Sequence, residues 1–296
     1  MASITERVFR STGRHFVTLS CVFTSPNSSE ERTCIYSGFL FKVLGLWFYI
    51  TAGHVIREIE AATKAGFKFD VWRLGDQTAG NRFKNVAIPY SFNLDNWLVV
   101  ENEDSGLDYA AVPLDQMSIM NLEAGGAQPL DKESWGDHVT EFDHWILVGM
   151  PSESVNYDNE SVISGRVVLA LLDSCDAPDS VWNDTANRFY ARLQEGSEAF
   201  VKSVVGMSGG PIFALKKING EWRYNVIGVQ SSWFKNIRTI AACPISSFGL
   251  AIEKALSEDF PELADKQRGA EGTAAPAGQD APGVAGCWRV AGARGR

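Results

Sequence analysis

Ser208 stands between Gly206 and Gly210 in the run Gly206-Met207-Ser208-Gly209-Gly210-Pro211. Glycines on both sides clear bulky side chains from around one hydroxyl. Backbone N–H groups in such a turn can face the oxyanion that forms when the hydroxyl attacks a carbonyl. At neutral pH a serine hydroxyl attacks only with help from a general base, usually a histidine, and from a carboxylate that fixes the imidazole tautomer. The chain has four histidines, His15, His54, His138 and His144, and all of them precede Ser208.

That order excludes one chemistry at once. The nucleophile elbow of α/β-hydrolases needs its histidine after the serine. The order histidine, acid, serine stays open. His54 closes the apolar, β-prone run Phe48-Tyr49-Ile50-Thr51-Ala52-Gly53-His54-Val55, so a buried strand delivers it beside two small residues that leave room for the ring. Taken alone, it reads as a core histidine capping a strand; a partnered serine turns it into a candidate base. His15, between Arg14 and Phe16, reads as a surface or strand residue. His138 and His144 fall in a polar stretch whose spacing fits no zinc pattern. No metal ligand set and no cofactor are expected.

Asp108 precedes a short apolar strand in Leu107-Asp108-Tyr109-Ala110-Ala111-Val112-Pro113-Leu114. A carboxylate there can be pinned by neighbouring backbone, although aspartate also commonly opens a strand from a turn. Asp95 and Asp104 lie in more polar surroundings and read as solvated loop residues.

Three segments, Thr51-Ala52-Gly53-His54-Val55, Leu107-Asp108-Tyr109-Ala110-Ala111-Val112-Pro113-Leu114 and Gly206-Met207-Ser208-Gly209-Gly210-Pro211, resemble in order the signature segments of the trypsin/chymotrypsin clan of serine proteases. The closer similarity is to bacterial trypsin-like peptidases related to the HtrA heat-shock proteases, without their PDZ domain. Ser37-Gly38-Phe39-Leu40, Val148-Gly149-Met150-Pro151 and Val162-Ile163-Ser164-Gly165-Arg166-Val167-Val168 add to it. The resemblance implies two six-stranded antiparallel β-barrels of the chymotrypsin type with a C-terminal helix. It implies a serine endopeptidase working through an acyl-enzyme, with His54 as general base, Asp108 orienting it, Ser208 as nucleophile, and the N–H groups of Gly206 and Ser208 as oxyanion hole. It implies that an extended substrate lies along Gln230-Ser231-Ser232-Trp233, giving Ser231 and Ser232 substrate-binding roles. Lys202, six residues before the nucleophile, would line the specificity pocket and favour an acidic residue there. A catalytically silent peptide-binding module of the same build is the alternative. One departure stands out. Trypsin-like chains carry Asp immediately before the nucleophile and this one carries Met207, so an ion pair with a processed N-terminus is not expected.

The elements that must position these groups read as mostly short strands with Gly/Pro punctuation, a barrel or sandwich pattern. Strands are expected at 14–24, 34–50, 67–74, 83–89, 97–101, 109–114, 162–172, 198–204, 211–216 and 222–230, with Leu147-Val148-Gly149 in another. A helix is expected at 55–65. A closing helix at 247–257 carries Phe248, Ile252, Ala255 and Leu256 on one face, with Ser246 or Ser247 as N-cap. The peptidase domain is expected over 12–258, with a first barrel at about 12–125 and a second at about 135–245. Residues 178–198 read as a loop with a helical piece. Residues 267–296, rich in Gly and Ala without apolar periodicity, read as a disordered tail.

At 296 residues and 45% apolar content the chain can bury a large core. A net charge of −9 argues against nucleic acid or an anionic membrane as partner. The partner expected is a protein or peptide substrate, and the sequence leaves the oligomeric state open. No apolar run approaches a membrane span, and the first residues lack the apolar region of a signal peptide. The five cysteines, Cys21, Cys34, Cys175, Cys243 and Cys287, suit free thiols in a reducing cytoplasm. Cys21 and Cys34 would meet across a hairpin, though a bridge is not expected. The acidic neighbours of Cys175 would raise its pKa, which argues against a catalytic thiol.

Overall fold

In this computed structural model, residues 4–75, 87–157, 163–179, 187–197, 201–263 and 265 are described. The expected tail, part of the 178–198 loop and the first residues of the strands expected at 83–89 and 198–204 lie outside them.

Helix α1 (Ile4–Gly13) leads into β1 (Phe16–Thr24), β2 (Glu31–Val43) and β3 (Leu46–Thr51). Helix α2 (Gly53–Lys64) follows, then β4 (Lys68–Gly75), β5 (Ala87–Pro89), β6 (Leu98–Asn102) and β7 (Leu107–Pro113). These strands form one sheet in the order β5-β4-β1-β2-β3-β7-β6. Seven strands are therefore hydrogen-bonded where six were expected, because the stretch read as one strand at 34–50 is two, β2 and β3, turning at Leu44 and Gly45. Helix α3 (Gln116–Gly125) joins this half to the next.

The second half contains β8 (His144–Gly149), the short ribbon of β9 (Asn156–Tyr157) and β10 (Ile163–Ser164), then β11 (Val168–Cys175) and β12 (Phe189–Leu193). It ends with β13 (Pro211–Ile218), β14 (Glu221–Phe234), β15 (Thr239–Pro244) and α4 (Ile245–Asp259). Six of these strands close into a barrel, β11-β12-β15-β14-β13-β8. The all-β class, one closed six-stranded barrel and the C-terminal helix agree with expectation; where the other of the two expected barrels was placed, the described strands form a seven-stranded sheet.

The period-2 alternation of β2 explains how the halves join. Ile35, Phe39 and Phe41 pack into a core shared with Ile146, Val148 and Phe213 of the barrel. Leu40 and Tyr36 face the other way, into a core formed with α2 residues Val55, Ile56 and Ile59. Ser37 lies on the same side of the strand as Ile35 and Phe39, so its hydroxyl points at the second half. α4 is fastened to β7: the Tyr109 ring stacks on Phe248 at 4.4 Å, and its hydroxyl donates to Pro244 O at 2.6 Å.

Several expectations need correction, beginning with residues 189–193, read as part of a loop, which form strand β12 of the barrel. Residues 201–204 form no strand, because Val201 N–H bonds back to Ser197 O and Met207 N–H to Val204 O, which coils the segment into turns. α4 begins at Ile245 behind Pro244, and neither serine caps it: Ser246 Oγ donates to Gly136 O and Ser247 Oγ to Pro244 O. α3 was not anticipated, although Asp115 accepts the Ser118 N–H at its start and Gly126 ends it with φ +90°.

Candidate active site

α2 starts without a side-chain cap of its own; Ala52 stands at the N-cap position. The exposed helix N–H groups need an acceptor. Asp108, at the start of β7, supplies it: Oδ1 accepts the His54 backbone N–H at 2.8 Å. The other oxygen, Oδ2, lies 2.8 Å from His54 Nδ1. One carboxylate thus anchors the first turn of the helix and holds the imidazole in a single tautomer, Nδ1–H donating and Nε2 left for other work. Gly53 makes the approach possible, since a Cβ there would sit 3.1 Å from Asp108 Oδ1 and 3.0 Å from Tyr109 O.

Ser231 completes the carboxylate's surroundings. The ladder between β14 and β15 shifts register between Gln230 and Ser232. Ser231 is the extra residue of that bulge, and bulges re-aim side chains. Its buried hydroxyl donates to Asp108 Oδ2 at 2.5 Å. The Ser231 side chain therefore serves the acid. Burial opposes ionisation of Asp108, but the hydrogen bonds and charge of His54, with the Ser231 bond, hold its carboxyl below the ordinary range. Burial likewise pulls His54 down; the Asp108 hydrogen bond and charge, with Glu58 and Glu101 beyond, outweigh it and raise the imidazole above its ordinary value.

The glycine turn approaches the same place from the barrel. Gly209 N–H donates to Gln230 O at 2.8 Å and Gln230 N–H to Gly210 O at 2.9 Å, which ties the turn to β14. Val205 O is held by the Ser152 N–H and Met207 O by the Gly210 N–H, each at 2.8 Å. A trans peptide directs N–H opposite to its carbonyl, so the N–H groups of Gly206 and Ser208 turn away from those partners. Among the described residues neither N–H has a hydrogen-bond partner. Met207 is fully buried against Gly149, where a Cβ would come within 2.8 Å of its Cε. It fills with apolar bulk the position just before Ser208.

His54, Gly206 and Ser208 line one cleft of about 650 Å³ between the halves, with Cys34, Tyr36 and Trp233 among its other walls. Ser208 Oγ has no hydrogen-bond partner among the described residues. Ser232 is half-buried on β14. Lys202 is exposed, and its backbone N–H donates to Glu153 Oε1 at 3.1 Å; it is not among the residues lining the cleft.

Of the remaining candidates, Asp95 and Asp104 are exposed. His15 corrects the surface reading: it is 5% exposed, with Nδ1 2.7 Å from Gln128 O and Nε2 2.8 Å from Tyr224 OH. Burial pushes its pKa down to about 4. His138 stacks on Phe189 at 4.6 Å, and His144 sits 5.6 Å from the Trp222 ring. No group of three or more metal-binding side chains gathers among the described residues. No described helix is long and apolar enough to cross a membrane. Sequence reasoning gave no site role to Ser37, whose Oγ donates to Gly206 O at 2.9 Å and accepts from Met150 N at 3.0 Å. Its position on the inter-half side of β2 is the signal that would have found it.

No family model matches the sequence, and no curated protein matches it. Among solved structures the chain is similar to a scabies mite inactivated protease paralogue, at 13% identity and a TM-score of 0.49, over 84% of this chain and 96% of that one. It is similar to a thermostable serine protease from an extremophilic microorganism, at 11% identity and 0.45, over 81% and 95%. A third similarity is to tobacco vein mottling virus protease, at 12% identity and 0.39, over 80% and 79%.

Proposed function

We propose that the protein is a serine endopeptidase. The observation that carries this reading is the doubly bonded His54–Asp108 pair opening on the cleft that Ser208 lines. His54 Nε2 takes the proton as Ser208 Oγ attacks the scissile carbonyl. The N–H groups of Gly206 and Ser208 receive the oxyanion. Asp108 favours the imidazolium that forms, in the direction of the raised His54 pKa. His54 then passes its proton to the leaving amine, and water releases the acyl group by the same steps in reverse.

A peptide substrate is supported by an open strand edge. The β13–β14 ladder ends at Pro211 and Val229, while β14 continues to Phe234 paired on its other side with β15. An extended peptide can add to that edge beside Ser232 and Trp233. Among peptidases of this kind, the motif set resembles the HtrA-like branch.

The unbonded hydroxyl of Ser208 favours a second reading, a silent module that binds peptides in the same cleft. Hydrogen bonds to the base often tighten only with substrate, so a chemical test separates the two. A fluorophosphonate probe should label the wild-type protein, fail on Ser208→Ala and react far more slowly with His54→Ala. Peptide binding without labelling of the wild type would establish the silent module instead.

A further inference from the structure

Cys21 and Cys34 face each other directly across β1 and β2. The register is continuous from Phe16↔Phe39 to Thr24↔Glu31. One step outside it, Leu40 N–H bonds to His15 O at 2.8 Å, so pairs alternating from His15–Leu40, including Cys21–Cys34, are of the hydrogen-bonded type. Such pairs hold their Cα atoms about 5.5 Å apart, within the roughly 4.4–6.8 Å span of disulfides. Neither cysteine is bridged, and Cys21 is buried while Cys34 is half-buried. Cys34 also lines the cleft that holds His54 and Ser208, next to Tyr36 on the same side of β2.

We propose that Cys34 and Cys21 form a thiol–disulfide exchange site in the cleft wall, which takes a low-molecular-weight disulfide as oxidant and closes a reversible cross-strand bridge. The division of labour follows from the surroundings. Hydrogen bonding with Cys21, and then with Tyr36, brings the Cys34 pKa down to about 7 against the opposing effects of burial and Glu58. The Cys21 thiol is raised by that same bond, by burial and by the Cys34 charge. Cys34 is thus the accessible thiolate. It attacks one sulfur of the external disulfide, whose S–S bond breaks and whose departing thiolate takes up a proton. The Cys34 mixed disulfide carries no charge, so two of the three influences that hold the Cys21 proton disappear. Cys21 then loses its proton to solvent and attacks the Cys34 sulfur, expelling the second thiolate. Two protein thiols are oxidised and one external disulfide is reduced to two thiols. The bridge withdraws the Cys34 sulfur from the cleft and draws Tyr36 with it.

The bridge is decided by mass, independently of the peptidase reading. Full-length reduced protein is incubated with mixtures of oxidised and reduced glutathione, quenched in acid, alkylated and mapped. Wild type should lose two hydrogens in a Cys21–Cys34 peptide pair and recover them with dithiothreitol. Cys21→Ser should stop at one glutathionyl group on Cys34, and Cys34→Ser should form no bridge. Wild type that retains a stable adduct on Cys34 beside an alkylatable Cys21, stays fully alkylatable, or bridges to another cysteine would overturn the exchange site. If the peptidase reading holds, bridged wild type should cleave peptides about tenfold more slowly, within the roughly 100-fold that a 1 Å displacement can cost, and Cys34→Ser should not respond to oxidant. Full-rate cleavage by fully bridged protein would overturn the effect on the cleft. Failure to label in either redox state would sink the peptidase reading and leave the bridge standing.

Discussion

The hydroxyl of Ser37 holds the carbonyl of Gly206 at 2.9 Å across the boundary between the two halves. It accepts the Met150 N–H at 3.0 Å in the same position, and its own carbonyl accepts the Thr51 hydroxyl at 2.9 Å. A residue from the half that carries His54 therefore sets the peptide plane after Gly206 in the turn that carries Ser208.

Ser37→Ala removes that fastening and leaves the Met150 N–H without its partner. A buried orphan donor costs about 1–3 kcal/mol, to be read by urea unfolding. In peptide hydrolysis the loss should fall mainly on kcat, because the turn would misalign attack more than substrate docking. A rise in KM at unchanged kcat would count against this role.

Gly209→Ala should be more damaging. Gly209 has φ +86°, and a methyl group there would overlap Thr51 Oγ1 and come within 2.5 Å of Ser37 O and 2.8 Å of Ala52 N. Backbone of β2 and of the entry into α2 cannot yield as a flexible side chain does. A loss of about 3 kcal/mol or more is expected, in the range that marks strain and overpacking together. Calorimetry reads it directly; a melting temperature within a degree of wild type would refute the close approach.

Asp108→Asn keeps the shape and removes the charge. An amide accepts at one atom and donates at the other, so it cannot accept from both His54 N–H groups. The imidazole tautomer is lost with the helix anchor, and kcat should fall by about 10⁴-fold. Ser231→Ala, which removes one bond and leaves the carboxylate in place, should fall far less. Equal losses in the two variants would mean that Asp108 acts through something other than its charge.

A general base works as neutral imidazole. Burial lowers the His54 pKa, but Asp108, Glu58 and Glu101 together raise it above 6.5. kcat/KM should therefore climb with pH through a midpoint above 6.5, and Glu58→Gln should move that midpoint down. The stability effect has the opposite sense. A raised folded-state pKa stabilises below the unfolded value near 6.5, and this contribution fades as pH rises through the folded value. The lowered Asp108 pKa stabilises above its unfolded value near 3.8 and is lost as pH falls through the folded one. The stability gap between wild type and His54→Ala should thus be widest in mildly acidic buffer. A gap that widens steadily into alkaline buffer would contradict the assignment.

Local chemistry was legible in the sequence wherever its cause was local. The small residues before His54, the acid opening β7 and the glycines around Ser208 are needs of backbone and side chains within a few positions. The apolar periodicity of β2 and α4, and the strand-rich pattern of both halves, likewise come from neighbours along the chain. His15 did not reveal its burial because its partners, Gln128 and Tyr224, come from distant stretches. Ser231 gave no sign that it bonds the acid, because a one-residue bulge, which reverses the direction of a side chain, leaves no mark in composition. Ser37 reads as an ordinary small strand residue until the second half arrives against it. The sequence by itself determined which groups were available and on which elements they ride. Tertiary structure alone decided which carboxylate oxygen meets which nitrogen, which serine supports the acid, and that Cys34 opens onto the cleft. These are contacts between segments far apart in the chain, where a shift of one residue in register turns a side chain to the opposite face.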